Sequence, residues 1–349
     1  MDIEIHKFDP LTAIQEEWKK YHVFRRLRFQ ETHPNDSVLS DELIELAYKQ
    51  GDPSYHFFRF HVFEAGNNKM VIGEINLSYV KKDSSSYKGN EKILNTSINL
   101  LAPYRRKGLG KKLLHQVLEF AKEHKKSLVS GGTDEEDGKH FLQAMGAPTK
   151  LAMQEYRIHF DTVDWKMLEE WAQEGAKKSP QTKLEIHYSI PEDILEAYCK
   201  VYTETLNQMP FDDLERGDFI ITPEIHKKRE KDFKDLKVNW IHIIAKEPNG
   251  EISGFTNMYY AYEREDLIDH MFTGVQEKYR GRGLAKWLIA ARFIMTKEKF
   301  PKAKVLRVTT FMSNTPIKSI AARLGYKLYK ERKTTQLTLE KIEEYLAQN

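Results

Sequence analysis

Residues 279–285 read Tyr-Arg-Gly-Arg-Gly-Leu-Ala, and residues 104–110 read Tyr-Arg-Arg-Lys-Gly-Leu-Gly. The two stretches lie 175 residues apart, half the length of the 349-residue chain. An extended apolar run precedes each stretch, and leucines at helical spacing follow it, as Leu284 and Leu288 do in the second copy. A short element that recurs in the same strand–loop–helix setting indicates an internal duplication. The sequence therefore predicts two copies of one duplicated domain.

The segments around the two stretches also correspond. A β-hairpin is predicted before each copy, from Tyr55–Phe63 with Met70–Tyr79 and from Trp240–Ala245 with Ile252–Tyr260. After each copy we expect a helix, a strand, a second helix that stops at a glycine, and a final strand. The fold class predicted from this order is α/β (α+β), with two tandem domains that each combine a sheet with helices.

The length of the chain fits two domains, because a single compact core rarely extends over more than ~250–300 residues. The predicted bounds are 1–160 for the first domain and 184–349 for the second. Residues 161–183 join them as a helical segment, with tryptophans at 165 and 171, followed by a polar linker.

Composition excludes several classes of protein. Lysine and arginine number 55 against 52 acidic residues, so a net charge of +3 gives no global basic field for nucleic acid. The single cysteine, Cys199, excludes a disulfide framework and is expected to be a small buried residue. No run approaches the ~20 apolar residues of a membrane span, and no signal-peptide pattern opens the sequence, so we expect a cytoplasmic protein. The 13 histidines show no His-x-x-x-His spacing, and no metal site is expected.

The repeated stretch has the chemistry of an anion site. A helix N-terminus presents unpaired N–H groups and the positive end of the helix dipole. Glycines let the backbone approach a phosphate closely, and the flanking arginines and lysines add positive charge. Neither copy has the spacing of a Walker loop or of the dinucleotide fingerprint. Two copies in matching contexts therefore favour a phosphate-binding loop of another kind.

The second copy, together with Ser-Asn-Thr-Pro-Ile-Lys-Ser-Ile-Ala-Ala-Arg-Leu-Gly-Tyr at 313–326, resembles the GNAT superfamily of acyl-CoA-dependent N-acyltransferases. The resemblance covers both halves and is similar to the two-domain group that includes mycothiol synthase. It implies two GNAT-like domains, each a mixed, mostly antiparallel sheet flanked by helices. It also implies that a thioester enters between two splayed strands, with acetyl-CoA as co-substrate.

The resemblance assigns cofactor-binding residues in both domains. In the C-terminal domain they are Val275, Arg280, Gly281, Arg282, Gly283, Leu284, Ala285 and Asn314. In the N-terminal domain they are Leu101, Arg105, Arg106, Lys107, Gly108, Leu109 and Gly110. Val275 would hold the pantetheine through its backbone, and Asn314 occupies the place of a residue that often contacts the cofactor arm.

Acyl transfer to an amine requires a base for the ammonium proton. Family members often carry a carboxylate on the fourth strand, and the corresponding position here is Asp269, whereas the first half has Leu94 and Asn95. The tyrosine that often protonates the leaving thiolate is replaced by Ala321 and, in the first half, by Leu142. Because a thiol has a pKa of ~8.5, loss of this acid need not abolish activity. The sequence thus predicts catalysis in the C-terminal domain and a degenerate N-terminal domain.

The predicted function is the transfer of an acetyl group from acetyl-CoA to an amine of a small molecule or peptide. Alternatives are a non-catalytic acyl-CoA-binding or sensing protein and an aminoacyl-tRNA-dependent peptidyltransferase. The second of these is disfavoured by the absence of a basic arm. We expect no membrane or nucleic-acid partner, and a monomer or homodimer. Acceptor contacts are predicted within residues 198–225, at Tyr202, Asn207, Phe211 and Asp212. The acidic residues Asp212, Asp213 and Glu215 would suit an amine acceptor, and the alternative for them is an exposed acidic loop.

Overall fold

The computed structural model describes residues 1–348. These residues contain twelve β-strands: β1 (Ile3–Phe8), β2 (Tyr55–Glu64), β3 (Gly73–Val80), β4 (Ile93–Leu100), β5 (Leu128–Thr133), β6 (Thr149–His159), β7 (Lys183–His187), β8 (Val238–Lys246), β9 (Ile252–Ala261), β10 (Leu267–Val275), β11 (Val305–Phe311) and β12 (Lys327–Thr338). They also contain ten α-helices: α1 (Gln15–Thr32), α2 (Asp41–Gln50), α3 (Leu109–Glu123), α4 (Glu136–Ala144), α5 (Trp165–Lys178), α6 (Glu192–Asn207), α7 (Pro223–Asp235), α8 (Leu284–Lys299), α9 (Thr315–Leu324) and α10 (Leu339–Ala347).

The chain forms two compact units. Unit 1 comprises Met1–Ala152, Asp212–Asp218 and the chain from Arg332 onward. Unit 2 comprises Met153–Phe211 and Phe219–Glu331. The units thus differ in membership from the domain bounds expected from the sequence.

The strand order of unit 1 is β1-β2-β3-β4-β5-β12. Neighbouring strands are antiparallel except β4 and β5, which are parallel. The closing strand is the C-terminal part of β12, whose Lys333–Thr338 pairs with Thr133–Leu128 of β5. Unit 1 is therefore completed by a strand from the second sequence copy.

The sheet of unit 2 has the same strand order, and its closing strand comes from the first sequence copy. Its sheet runs β7-β8-β9-β10-β11-β6, and only β10 and β11 are parallel. Met153–His159 of β6, which belongs to the first sequence copy, pairs with Phe311–Val305 of β11. The predicted mixed, mostly antiparallel sheet flanked by helices is confirmed in both units, and the two copies have exchanged their last strands.

Both faces of each sheet are covered by helices. In unit 2, Leu288 and Phe293 of α8 pack with Ile241 and Ile243 of β8 on one face. On the other face, Ile244 of the same strand packs with aromatic residues of α6. This alternation follows from the two-residue period of a strand. Unit 1 repeats the arrangement, with α3 on one face and α1 on the other.

The structure also bears on the expectations for Cys199 and for membrane-spanning helices. Cys199 is buried, with 2% of its surface exposed, and burial raises the pKa of its thiol to about 12. That expectation is confirmed. Among the helices of residues 1–348, none has both the length and the hydropathy needed to cross a membrane.

Candidate active site

The two glycine-containing loops have the same backbone geometry. In unit 2, Gly281 and Gly283 adopt left-handed φ angles of 81° and 77°, and α8 begins directly afterwards. In unit 1, Arg106 and Gly108 occupy the equivalent positions with φ angles of 57° and 76°, before α3. Each loop thus turns the chain so that the first N–H groups of a helix, which have no intrahelical acceptor, point at one place. This geometry suits an anion in both units.

The first arginine of each loop holds the loop in place. Nε of Arg280 donates to the carbonyl of Val275 at 3.4 Å, and its Nη2 donates to Oε1 of Gln208 at the end of α6. Nε of Arg105 donates to the carbonyl of Leu100 at 2.9 Å, and its Nη2 donates to Glu31 near the end of α1 at 2.6 Å. Both arginines therefore fasten the loop to the last residue of the preceding strand.

The charge around these two arginines differs. Arg105 lies against the carboxylates of Glu31 at 2.6 Å and Glu135 at 3.0 Å, so its charge is compensated. Glu31 also accepts a hydrogen bond from the backbone N–H of Ala102 at 2.9 Å. The corresponding partner of Arg280 is the neutral amide of Gln208. The loop of unit 2 consequently presents more net positive charge at this position.

The side chain of Arg282 is hydrogen-bonded to other residues of unit 2. Its guanidinium donates to Ser179 Oγ at 3.1 Å, to Thr182 Oγ1 at 2.8 Å and to Glu247 Oε2 at 3.1 Å. Burial would raise the pKa of Glu247, but hydrogen bonds from Ser253, Arg282 and Thr182 outweigh burial and lower it. Arg282 thus joins the loop to the segment between α5 and β7.

A cavity of about 330 Å³ opens at the N-terminus of α8. Its wall combines the loop with the end of α5, the end of β10 and one residue of α9: Trp171, Glu174, Gly175, Lys178, Val275, Tyr279, Arg280, Gly281, Gly283, Leu284, Ala285, Lys286 and Ile320. Six of the predicted cofactor residues, Val275, Arg280, Gly281, Gly283, Leu284 and Ala285, are therefore brought together. Gly175 of α5 was not predicted, and only a glycine fits there, since a Cβ would lie 2.4 Å from Cβ of Trp287.

The strands beside this cavity separate. The parallel pairing of β10 with β11 runs from Leu267 to His270 and ends there, although β10 continues to Val275. Between His270 and Phe272 the pairing of β10 with β9 also shifts register, which is a β-bulge. In unit 1, β4 separates from β5 after Thr96, but its register with β3 is regular from Ser78–Asn95 to Gly73–Leu100. Of the two corresponding strands β4 and β10, only β10 therefore has a β-bulge.

Asp269 lies on the paired part of β10, before the strands separate. It faces Arg307 across the β10–β11 pair and forms an ion pair with that guanidinium, and Arg264 lies 3.7 Å from its other oxygen. The neighbouring His270 has its Nε2 2.9 Å from Thr273 Oγ1, and burial lowers its pKa well below the usual range. The assignment of Asp269 as a base stays a prediction.

The remaining predicted residues of unit 2 have structural contacts. Asn314 caps α9, because its side chain accepts from the N–H of Ile317 at 3.4 Å. Ala321 is buried in the core. Tyr326 is also buried, and burial raises the pKa of its phenol although the neighbouring Arg292 acts to lower it. Tyr202 stacks on Phe272 at 5.7 Å, and Asn207 bonds both backbone groups of Phe219.

In unit 1 the predicted acidic residues and loop residues are as follows. Glu215 forms an ion pair with Lys92, and its N–H donates to Gln336 at 2.7 Å. The N–H of Asp213 donates to the carbonyl of Lys150, and Asp212 has a left-handed φ of 47°. Leu101 and Leu109 are buried, at 3% and 1% exposed. Phe211, which belongs to unit 2, packs on Phe311 at 4.9 Å.

One polar cluster of unit 1 was missed by the sequence analysis. Glu74 of β3 is 9% exposed, and burial raises its pKa, while Asn99 of β4 donates to it at 2.9 Å. The hydroxyls of Tyr21 and Tyr48 are hydrogen-bonded to one another nearby, and the Glu74 charge helps to raise their pKa values. A buried carboxyl with a raised pKa is a recognised mark of a functional site. The one sequence signal was that Glu74 is the only charged residue of β3.

The sequence of the first half matches a known protein family. Residues 13–146 match the model of the Acetyltransferase (GNAT) family. The match falls in the first sequence copy, although the longer family-like stretch was found in the second. Among curated proteins, no sequence relative matches the chain.

Solved structures resemble the chain over nearly its whole length. A tandem GNAT protein from the clavulanic acid biosynthesis pathway superposes with a TM-score of 0.75 at 12% identity, covering 97% of this chain and 99% of that one. A GCN5-related N-acetyltransferase from Sphaerobacter thermophilus gives 0.63 at 14% identity, with 97% and 96% covered. N-myristoyltransferase of Saccharomyces cerevisiae gives 0.57 at 11%, with 96% and 80% covered.

These findings define the class of protein. Residues 13–146 match the GNAT family, and the chain as a whole has the fold of a tandem GNAT protein. The resemblance recognised from the repeated loop is thereby confirmed. The family match in the first half and the shared fold support acyl-CoA N-acyltransferase activity.

Proposed function

We propose that the protein transfers an acetyl group from acetyl-CoA to an amine of a small molecule or peptide, and that the reaction takes place in unit 2. The observation that carries this proposal is the cavity at the N-terminus of α8, where the loop, the end of β10 and α5 enclose about 330 Å³. Strand separation and a bulge lie beside the cavity, so a ligand can reach the backbone of β10.

The residues of the cavity suit the phosphates of CoA. No atom lies within 4 Å of the position that a Cβ on Gly281 would take, so the loop backbone is open to a ligand. Lys178, Arg280 and Lys286 line the same space against one acid, Glu174. Unpaired N–H groups at the start of α8 add donors with the favourable dipole. A pyrophosphate is the kind of anion that such a loop binds.

Acetyl transfer from a thioester to a neutral amine requires little acid or base catalysis from the protein. A neutral amine attacks the thioester carbonyl, the C–N bond forms, the C–S bond breaks, and the ammonium proton passes to a base or to water. Beyond His270, β10 has no ladder partner in β11, so its backbone groups can position the acyl arm and polarise the carbonyl. Asp269 is the base expected from the sequence, but the proposal does not depend on it. Its two oxygens are occupied by the guanidinium groups of Arg307 and Arg264.

The loop of each unit offers a matched test. Gly281→Glu places a negative charge on the open loop, and the equivalent Arg106→Glu does so in unit 1, where φ is already left-handed with a side chain present. Gly281→Arg imposes the same backbone strain of ~1–2 kcal/mol without the negative charge. We expect Gly281→Glu to weaken CoA binding and kcat/KM at least ~100-fold, and the other two variants to change them less than ~10-fold, on the scale of one to two charge contacts.

The measurements are calorimetric titration of the full-length protein with CoA and turnover of acetyl-CoA on a panel of amines. Equal loss with Gly281→Glu and Gly281→Arg would show strain instead of charge and would remove the support for this loop. CoA binding without turnover on any amine would instead favour an acyl-CoA-binding protein.

A second candidate is the same reaction in unit 1. The observation that favours it is the buried Glu74, whose raised pKa suits a general base. In that case Arg106→Glu and Glu74→Gln would lower turnover at least ~100-fold, and Gly281→Glu would not. The compensated charge of Arg105 and the regular β4 are the reasons for preferring unit 2.

A further inference from the structure

Three potential metal ligands lie together in unit 2, away from the loop. His226 and Glu230 are one turn apart on α7, so their side chains share a face of that helix. His242 lies in the middle of β8, against which α7 packs. One ligand atom from each residue lies within 4.8 Å of the other two. Nδ1 of His226 is 3.4 Å from Oε1 of Glu230.

The two imidazoles are fully buried and incompletely hydrogen-bonded. Both have 0% exposed surface. Neither ring nitrogen of His226 makes a hydrogen bond with the described residues, and Nε2 of His242 makes none either. Leaving a buried polar atom unpaired costs ~1–3 kcal/mol, so an unpaired nitrogen on each of the two neighbouring rings favours a ligand between them.

Neighbouring groups fix the orientation of the three side chains. Nδ1 of His242 is 2.9 Å from the hydroxyl of Tyr198, which leaves Nε2 for another partner. Glu230 accepts from Ser189 Oγ at 2.7 Å and from the N–H of Ile190 at 2.9 Å. The His226 ring stacks on Trp240 at 4.6 Å. Outer hydrogen bonds of this kind orient the ligands in known metal sites.

We propose that His226, Glu230 and His242 bind a divalent transition-metal ion of the Zn²⁺ class. Two imidazoles and one carboxylate are a common ligand set for Zn²⁺, with a fourth position left to water. Metal bonds of ~2.0–2.2 Å require the three ligand atoms to close in from their present separations. The ion would join α7 to β8 beside α6. This site is independent of the acyl-transfer proposal.

The test uses the full chain without a histidine tag, stripped with a chelator and then titrated with Zn²⁺ or Co²⁺. We expect one equivalent of bound Zn²⁺ by elemental analysis after dialysis, and a rise in Tm, because the ion binds the folded state. Co²⁺ should give a visible absorption band of a site with nitrogen and oxygen ligands. Glu230→Gln and His242→Gln should weaken Zn²⁺ binding more than ~100-fold, since even outer-shell changes cost 10–100-fold.

His61→Gln is the matched control, because His61 is a buried histidine of unit 1 with an unbonded Nε2. Its Zn²⁺ affinity should equal that of the wild type. Zn²⁺ retained equally by Glu230→Gln would mean binding at other surface groups and would overturn the proposal. If the ligand variants do not fold, the absence of a Co²⁺ band in the wild type overturns it alone.

Discussion

At the scale of single residues, the arginine side chains of the repeated loop are hydrogen-bonded within their own unit. Arg105 and Arg280 bond the carbonyl of the last strand residue in the same way, and Arg282 bonds Ser179, Thr182 and Glu247. The sequence correctly predicted that each loop lies between a strand and the start of a helix. It could not predict the partners, because Glu31, Gln208 and Glu247 are distant in the chain.

Asp269→Asn is expected to leave turnover within about tenfold of the wild type at pH 7. The reason is that Arg307 and Arg264 hold the carboxylate before the strands separate. Steady-state kinetics at saturating acetyl-CoA would measure this. A loss of ~10²–10⁴-fold with unchanged CoA affinity would instead establish Asp269 as the base.

The buried His61 predicts a pH dependence of stability. Burial lowers its pKa to about 3, so below pH 6.5 the unfolded chain takes up a proton that the folded chain does not. The free energy of unfolding of unit 1 should therefore fall on acidification from pH 6.5, by up to about 2–3 kcal/mol at pH 4.5. In His61→Gln this part of the slope should be lost, as measured by urea midpoints across pH. An unchanged slope would contradict the assignment.

At the scale of elements, α5 and α8 show how closely the wall of the cavity is packed. Gly175 of α5 touches Trp287 of α8, so the helices approach where a side chain has no room. The sequence predicted a helix around Trp165–Trp171 but treated it as part of a linker. The structure shows it as a wall of the candidate site, because Trp171 and Lys178 face the loop.

Two helix glycines should respond oppositely to alanine. Gly175→Ala should destabilise unit 2 by ~1–3 kcal/mol, because the new Cβ would meet Trp287 at 2.4 Å. Gly110→Ala should stabilise α3 by ~0.5–1 kcal/mol, since its Cβ lies 3.4 Å from the nearest atom, Cε2 of Phe141, and alanine already occupies the equivalent position 285. Thermal unfolding of both variants checks this. Equal shifts would refute the role assigned to Gly175.

At the scale of the whole molecule, most of the order of elements was predictable, but the exchange of last strands was not. The final strand expected after each copy is present, as β6 and β12. The sequence pattern of a strand does not show which sheet the strand joins, since both sheets have the same order and offer a similar edge. The expected domain bounds followed the sequence copies for this reason.

Truncation after Glu331 should unfold unit 1 while unit 2 remains folded. It removes the part of β12 that pairs with β5 and all of α10, whose Ile342 is 1% exposed in the core with α3. Hydrogen exchange should show protection lost in β4 and β5 and kept in β8–β10. Loss of protection in both units, or in neither, would contradict this reading. The two sequence halves expressed separately are likewise expected not to fold.

The exchange of last strands also decides the order in which the two units can complete their folding during synthesis. A ribosome makes the chain from its N-terminus, and a first domain ordinarily folds while the second is still being made. Here the sheet of unit 1 lacks its closing strand until residues 332–338 have emerged, after the whole of unit 2 has been made. The closing strand of unit 2, β6, belongs to the first sequence copy and is made before the rest of that unit. The unit that is translated first is therefore the last to be finished, and a nascent chain must carry it with an open sheet edge until then.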